Sequence, residues 1–363
     1  MTSGHGSERC EASGCCRRGN RGSGRRTAAA PGRLGLLPAL APRDIGFFTS
    51  VLVHADGREK LTVPAAVAQA AVGDRALSVF RGDVETVLYE AIRDVVTIRF
   101  GTTVESIEQD ADEVRLRLSD GTPLEADLLI GADGLHFRVR ELVFGSGTDC
   151  LVNMRNMVGA FPLAEIPEQV PQGVGTTFLG PGRTAAVMNL GPGRSSAFFT
   201  YGSADPEAEL ALGPVAALTA AFGDLGRGVA DALGQLEADP ASAYFDSVTQ
   251  VVLGEWSRGR VVLVGDSAWC VTVFAGYGAA LALDGADRLG AALAADEIPA
   301  ALAAWETALR PEVAKRQALA RKGMARFVPP TKAHVWVGEM MLRAIQLPGI
   351  RGLVQRAVRR VNN

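Results

Sequence analysis

The chain has 363 residues, with 37 Lys and Arg against 40 Asp and Glu and a net charge of −3, so it lacks the basic excess that nucleic acid would require. At 47% hydrophobic it has material for an ample core, and its length suits two intimately joined domains. Its five cysteines (Cys10, Cys15, Cys16, Cys150 and Cys270) are odd in number, scattered and without zinc spacing, which argues against a disulfide framework or a metal site and points to a reducing cytoplasmic setting.

Residues 1–34 do not read like the rest. Arg9, Arg17, Arg18, Arg21, Arg25, Arg26 and Arg33 sit among Gly, Ser and Ala, with no apolar periodicity to argue a strand or helix. Gly4-His5-Gly6 and Gly22-Ser23-Gly24 follow no strand and complete no phosphate-binding pattern. Three readings stay open: an Arg-rich targeting peptide, a disordered tail, or a start of unrelated origin in place of the original one.

From Gly35 the sequence becomes globular. Asp44–His54 and Arg58–Val63 flank Ala55-Asp56-Gly57, a hairpin signal. Ser78-Val79-Phe80-Arg81-Gly82-Asp83 leads into a helix over 84–95, with Asp83 as its expected N-cap. Strands are expected at 97–100, 103–109, 113–119 and 123–130, as a meander turning at Asp120-Gly121. The last feeds Gly131-Ala132-Asp133-Gly134 and a basic segment with Arg138 and Arg140.

Longer alternating strands follow at 157–163, 176–179, 184–190 and 195–201, separated by Gly-Pro turns. Residues 206–238 read as helical, and 244–255 returns as a strand. Val261–Val264 is a β-branched run of the kind that forms a buried strand. It ends at Gly265-Asp266. After a loop, Gly276-Tyr277-Gly278 opens a helix with small residues on one face. Free N–H groups and a partial positive charge suit that helix start to an electron-rich ligand. The uncharged run Ser267–Leu283 is broken by glycines and fits a soluble βα unit better than a membrane span. Residues 300–327 read as a helix broken by Pro311. Lys332–Arg360 is a basic amphipathic tail with Trp336, Met340, Met341 and Leu342, expected to pack on the domain that holds Val261–Val264, with a membrane-surface role as the alternative.

Two strand-Gly-Asp units in this order, with the Arg81 segment ahead of them, resemble the flavoprotein monooxygenases related to para-hydroxybenzoate hydroxylase. Within that group the likeness is to enzymes that hydroxylate aromatic polyketides and to tetracycline-inactivating flavin monooxygenases. It covers roughly residues 35–361. The resemblance implies a mixed α/β fold: a discontinuous, N-terminally incomplete Rossmann-like flavin domain (77–148 and 255–295), an antiparallel substrate sheet (150–254), a substrate-side hairpin (35–76) and C-terminal helices (296–363). It also implies FAD, NAD(P)H and O2 as cofactor and co-substrates, a flavin peroxide as the oxygen donor, an aromatic or polyketide-like small molecule as substrate, and no stable membrane insertion. The flavin performs the chemistry, so no catalytic side chain or metal is expected.

By the same resemblance Asp266, after Gly265, contacts the ribityl chain. Asp133 and Gly134 lie near the diphosphate, and Arg81 against the sugar-phosphate portion. Gly276 and Gly278 start the helix at the flavin's pyrimidine edge. The plain structural alternatives are a helix-capping Asp266, a turn Asp133 and a salt-bridged Arg81. Asp266, Gly276 and Gly278 are expected to border the largest cavity, with Arg81 near one end. Three departures stand out. The strand-G-x-G-x-x-G-helix fingerprint, with its acid about 20 residues on, is absent. Phe137 replaces a usual serine, and Val273 a frequent proline. The second reading is therefore a truncated or non-oxidative relative that binds FAD poorly and serves as a scaffold or is inactive.

Overall fold

The structure is a computed structural model that describes residues 14–17, 34–72, 76–135, 138–145, 148–165, 168–226 and 228–347. The two G-x-G triplets near the start, Phe137 and the tail past residue 347 lie outside the described residues.

In chain order the first elements are β1 (Gly14–Arg17), α1 (Leu37–Leu40), β2 (Thr49–Val53), β3 (Glu59–Val63), α2 (Ala65–Val72), β4 (Ala76–Val79) and α3 (Arg81–Ile92). β1 corrects the expectation of no strand before residue 35. It pairs antiparallel with β4, Gly14 opposite Val79 and Arg17 opposite Ala76. A ladder of backbone hydrogen bonds needs an accessible edge rather than an apolar run, which is why hydrophobic patterning missed it. α3 starts two residues before Asp83, with Phe80 at its N-cap. Asp83 sits inside the first turn, where an acid suits the helix dipole, and faces Arg43 at 3.6 Å and Arg194 at 3.5 Å.

Next come β5 (Val104–Gln109), β6 (Val114–Leu118), β7 (Pro123–Ala126), β8 (Leu129–Gly131) and α4 (Arg138–Phe144). β5, β6 and β7 form a separate antiparallel sheet. The expected strand at 97–100 is absent. Its alternation looked like a strand, yet no ladder reaches it and Phe100 stays 76% exposed. The run 123–130 is two strands, because β8 leaves the meander for another sheet.

β9 (Leu151–Pro162), β10 (Val174–Gly180), β11 (Arg183–Asn189), β12 (Ser196–Gly202), α5 (Pro206–Phe222), α6 (Val229–Ala238) and β13 (Tyr244–Val251) build the largest layer. The sheet order is β13-β9-β12-β11-β10-β2-β3, antiparallel except where β10 and β2 run parallel. Side chains alternate between its faces. Ala185, Val187, Phe199 and Tyr201 pack under α5 and α6 with Leu218, Phe222 and Leu236. The alternate positions Ala186, Met188 and Phe198 are left for the opposite face.

β14 (Ser257–Arg258), β15 (Val261–Leu263), α7 (Asp266–Trp269), α8 (Gly278–Leu293), α9 (Ile298–Gly323) and α10 (Lys332–Ile345) complete the described chain. β15 pairs in parallel with β8, Val261 opposite Leu129 and Leu263 opposite Gly131, so the two Gly-Asp strands are neighbours in one sheet. α9 runs through Pro311 without a break, its flanks Leu309 and Val313 buried in the core around Trp256, Trp269 and Trp305. α10 packs elsewhere than expected. Leu342 and Ile345 lie against Leu52, Val63 and Val67, so it covers the β2–β3 hairpin rather than the β8–β15 sheet.

Gly131 is where this sheet is tightest. A Cβ there would lie 2.7 Å from Leu263 Cδ2 and 2.9 Å from Val139 Cγ1, so only glycine lets β8 nest between β15 and α4. Gly131→Val is expected to cost about 1–3 kcal/mol in urea unfolding, as overpacking does. A loss under about 0.5 kcal/mol, within the range of neutral surface changes, would show that this contact yields freely.

Candidate functional site

Pairing β8 with β15 brings the two Gly-Asp turns side by side. The Gly134 N–H donates to Ser267 Oγ at 3.2 Å, and buried Arg140 donates to the Ser267 carbonyl at 3.3 Å. Burial pulls the Arg140 guanidinium down to about 10, with Cys150 and Asp133 opposing. Asp133 itself serves as a helix cap. Its Oδ2 accepts from the N–H groups of Arg138 at 2.8 Å and Val139 at 3.0 Å. One carboxylate oxygen is thus committed to α4.

Gly265 turns the chain from β15 into α7 with φ 64°, a left-handed conformation that favours glycine. Asp266 follows at the first position of α7. Its carboxyl is pushed above the ordinary carboxylate range by burial; the Arg81 guanidinium and a hydrogen bond from Cys270 pull the other way. Burial, with Asp266 beside it, pushes the Cys270 thiol up to about 12. A Cβ on Gly278 would sit 3.9 Å from Asp266 Oδ1. Arg81, Asp266, Cys270 and Gly278 therefore form one cluster, built from two distant stretches of sequence.

The loop into α8 carries features that the sequence did not signal. Thr272 adopts φ 84°, uncommon for a threonine, and its buried Oγ1 has no hydrogen-bond partner among the described residues. Gly276 is left-handed at φ 58°, with open space where a Cβ would be. The start of α8 has no side-chain cap and no acid in its first turn, so its N–H groups keep their positive end. Arg316 stacks on Tyr277 at 3.8 Å and holds this turn.

Buried amides fix the loop from behind. Gln317 Nε2 donates to the Val251 carbonyl at 2.7 Å, and Gln250 Nε2 to the Gln317 carbonyl at 3.0 Å. Arg321 donates to Gln250 Oε1 at 2.6 Å, tying β13, residues 270–271 and α9 together. Gln250 is a polar residue beside the apolar run 251–253, whereas Gln317 sits among Lys315, Arg316, Arg321 and Lys322 and gave no signal.

In front of the loop lies a cavity of about 390 Å³. Phe48, Phe80, Phe198, Phe274, Phe327 and Met188 line it, and Gly276 borders it. Phe274 and Phe327 stack with centroids 4.8 Å apart. Asp266, Gly278 and Arg81 are not among its lining residues, contrary to expectation. Gly276 and Phe80, the neighbours of Gly278 and Arg81 in sequence, are where the charged cluster and the apolar chamber adjoin. The arrangement has a polar end able to hold a long electron-rich ligand and an apolar end able to hold a flat hydrophobic one.

The FAD binding domain family matches residues 42–309. The FAD-dependent monooxygenase asL4 of Sarocladium schorii is 30% identical over 60% of this chain, a match that spans 52% of that relative, so the chain covers about half its length. Among solved structures, tetracycline destructase Tet(55) superposes with a TM-score of 0.75 at 21% identity, covering 95% of this chain and 86% of that one, and so shares the fold. A Klebsiella pneumoniae HpxO variant complexed with FAD superposes with a TM-score of 0.71 at 25% identity, covering 93% of this chain and 87% of that one. With most of its length matched, the chain belongs to the FAD binding domain family.

Proposed function

We propose that the chain holds FAD at the Arg81–Asp266–Gly278 cluster and, with NAD(P)H and O2, hydroxylates an aromatic or polyketide-like small molecule in the cavity beside Gly276. The observation that carries this reading is the apolar chamber opening on an uncapped helix start. The residues fit the cofactor on two counts: an orphaned Thr272 hydroxyl in the loop, and clear space at Gly276. Bound FAD would supply the redox chemistry with NAD(P)H and O2, which side chains do not.

The chain's own residues would do the rest. Asp266 would accept hydrogen bonds from the ribityl hydroxyls after Gly265 has turned the chain toward them. Arg81 would meet phosphate charge with a guanidinium. Gly276 and Gly278 would let the flavin ring touch backbone and place the α8 N–H groups beside its electron-rich edge. Asp133 and Gly134 would border the diphosphate. Five phenylalanines and Met188 would hold a planar substrate and keep water from it. In this reading 77–148 and 255–295 form the flavin half, 150–254 and the 35–76 hairpin the substrate wall, and 296–363 the supporting helices. Cys150 and Cys270 form no disulfide among the described residues, which supports a reducing, cytoplasmic setting.

The test is to incubate the purified chain with FAD, remove free flavin by gel filtration, and follow NAD(P)H oxidation with flat aromatic compounds of graded size. Retained flavin absorbance, aromatic-stimulated oxidation and a product heavier by one oxygen are expected. Phe198→Ala should then raise KM several-fold, as removing one wall of an apolar pocket does. Retained flavin with no aromatic-stimulated oxidation would overturn the hydroxylase reading.

A further inference from the structure

We propose that the chamber beside Gly276 takes an uncharged aromatic molecule with a neutral oxygen substituent, and that Ser196 selects for that oxygen; the inference rests on the chamber being the substrate site. Of the thirteen residues that line it, Ser196 alone carries a side-chain O–H or N–H, and none is ionisable. Ser196 stands on β12 opposite Met188, and Phe198, two residues on, stands opposite Ala186. Alternate residues of a strand share a face, so Ser196 belongs to the chamber face of the sheet. It is 1% exposed, and its Oγ makes no hydrogen bond among the described residues. Its neighbours differ. Ser195 Oγ donates to the Gly191 carbonyl at 3.2 Å and belongs to the turn between β11 and β12. Thr184 and Thr200, further along the chamber face, donate to the Phe327 carbonyl at 2.5 Å and the Met157 carbonyl at 2.8 Å. A buried hydroxyl without a partner is costly, and a ligand oxygen supplies the missing one. Serine both donates and accepts, so a carbonyl or a hydroxyl serves.

The same walls exclude charge. An ionised group taken out of water needs a partner charge or several hydrogen bonds, and the lining residues offer no charge and one side-chain hydroxyl. The cations next to Phe80 are engaged elsewhere. Arg194 lies 5.7 Å from the Phe80 ring centroid, but it sits 3.5 Å from Asp83 and donates to the Arg43 carbonyl at 3.3 Å. Arg81 faces Asp266. In the reading above, the free N–H groups at the start of α8 meet the flavin edge. A carboxylate or phosphate ester in the chamber is therefore stranded. A phenol, quinone or aromatic ketone brings no charge and uses the one hydroxyl on offer.

The test uses the full chain with saturating FAD and no NAD(P)H, so that binding is read apart from turnover. Three flat two-ring probes are titrated by calorimetry near neutral pH: naphthol, naphthalene, which lacks the oxygen, and naphthoate, which is ionised. Naphthol is expected to bind about tenfold more tightly than naphthalene, the worth of one hydrogen bond. It should bind at least about a hundredfold more tightly than naphthoate. Ser196→Ala should bring naphthol within about twofold of naphthalene, with naphthalene binding and thermal unfolding unchanged. Ser195→Ala, which removes the neighbouring hydroxyl, should leave the naphthol preference intact. A preference for naphthol that survives in Ser196→Ala overturns the role of Ser196. Naphthoate bound as tightly as naphthol overturns the uncharged class, and a parent that binds no naphthol overturns both. The hydroxylase reading fails separately, as naphthol bound without any stimulation of NAD(P)H oxidation.

Discussion

Trp269→Ala should lower stability by about 3–5 kcal/mol, the range for deleting a buried tryptophan, and should loosen the Arg81–Asp266–Gly278 cluster with it. Trp269 is 1% exposed and lies 4.7 Å from Trp256 and 5.8 Å from Trp305, centroid to centroid. α8 comes down directly onto it, for a Cβ on Gly285 would sit 2.9 Å from Trp269 Cζ2. Trp305 Nε1–H donates to the Gly285 carbonyl at 2.8 Å, and Arg310 caps the cluster 4.6 Å from the Trp256 ring. With three rings and a helix fitted around it, the site has little freedom to collapse, so the cavity left by alanine stays open. Trp269 closes the short helix that begins at Asp266, so the same change lets the carboxylate wander. The expected urea curve shifts its midpoint with the slope kept. A comparison with Trp305→Phe, which keeps a ring and removes the N–H, should show a smaller loss of about 1–2 kcal/mol. A Trp269→Ala loss below about 1 kcal/mol would mean that the cluster repacks and is not the site's foundation.

The sequence announced this region well where its signals were local. Val261–Val264 read as a buried strand because β-branched residues fill it, and Val261, Val262 and Leu263 are fully buried. The helix after Gly276-Tyr277-Gly278 starts at Gly278, at the second glycine itself. The alternating strands from 151 to 202 carry the period-2 pattern of a sheet with one face packed under helices. Failures came where tertiary contacts decided the outcome. Thr97-Ile98-Arg99-Phe100 alternates like a strand but has no ladder partner. Pro311 lacks the N–H for a helical bond, yet burial on both sides of it carries α9 through. α10 was placed on the wrong neighbour, because amphipathicity tells which side is buried and not what buries it.

The candidate site was legible in part for the same reason. Gly265, Asp266, Gly276 and Gly278 are special in backbone or charge and stand out in the sequence. The phenylalanines of the chamber come from five separate stretches, and each looks like ordinary core. Thr272 is an unremarkable residue type whose left-handed backbone only the fold reveals. Gln250 and Gln317 meet across strand and helix, a pairing that spacing along the chain cannot show. Asp133 had two readings, and the hydrogen bonds to Arg138 and Val139 give it a capping role.

Asp266→Asn separates a binding role from a structural one, because the two predict opposite signs. A carboxylate that holds the fold together has a lowered folded pKa, and its loss destabilises. Asp266 is the reverse case, its carboxyl raised by burial against the pull of Arg81 and Cys270. Between its unfolded value and its raised folded value, the native state binds more protons than the unfolded state. Stability therefore falls as pH rises through that window, and the cost of the buried charge is in full force above it. Asparagine has nearly the same shape and cannot ionise, so at pH 7–8 the flavin-free variant should unfold at higher urea than the parent. Below the unfolded carboxylate value the two curves should meet. Flavin retention should move the other way. On the proposed reading, in which Asp266 accepts from the ribityl chain, losing the charged acceptor should weaken binding by about ten- to a hundredfold, read as quenching of FAD fluorescence on titration. Buried polar charge that lowers stability while serving a ligand is the usual bargain at binding sites. An Asn variant that is less stable at pH 8 and retains FAD as the parent does would remove Asp266 from the site and make it a structural residue of α7.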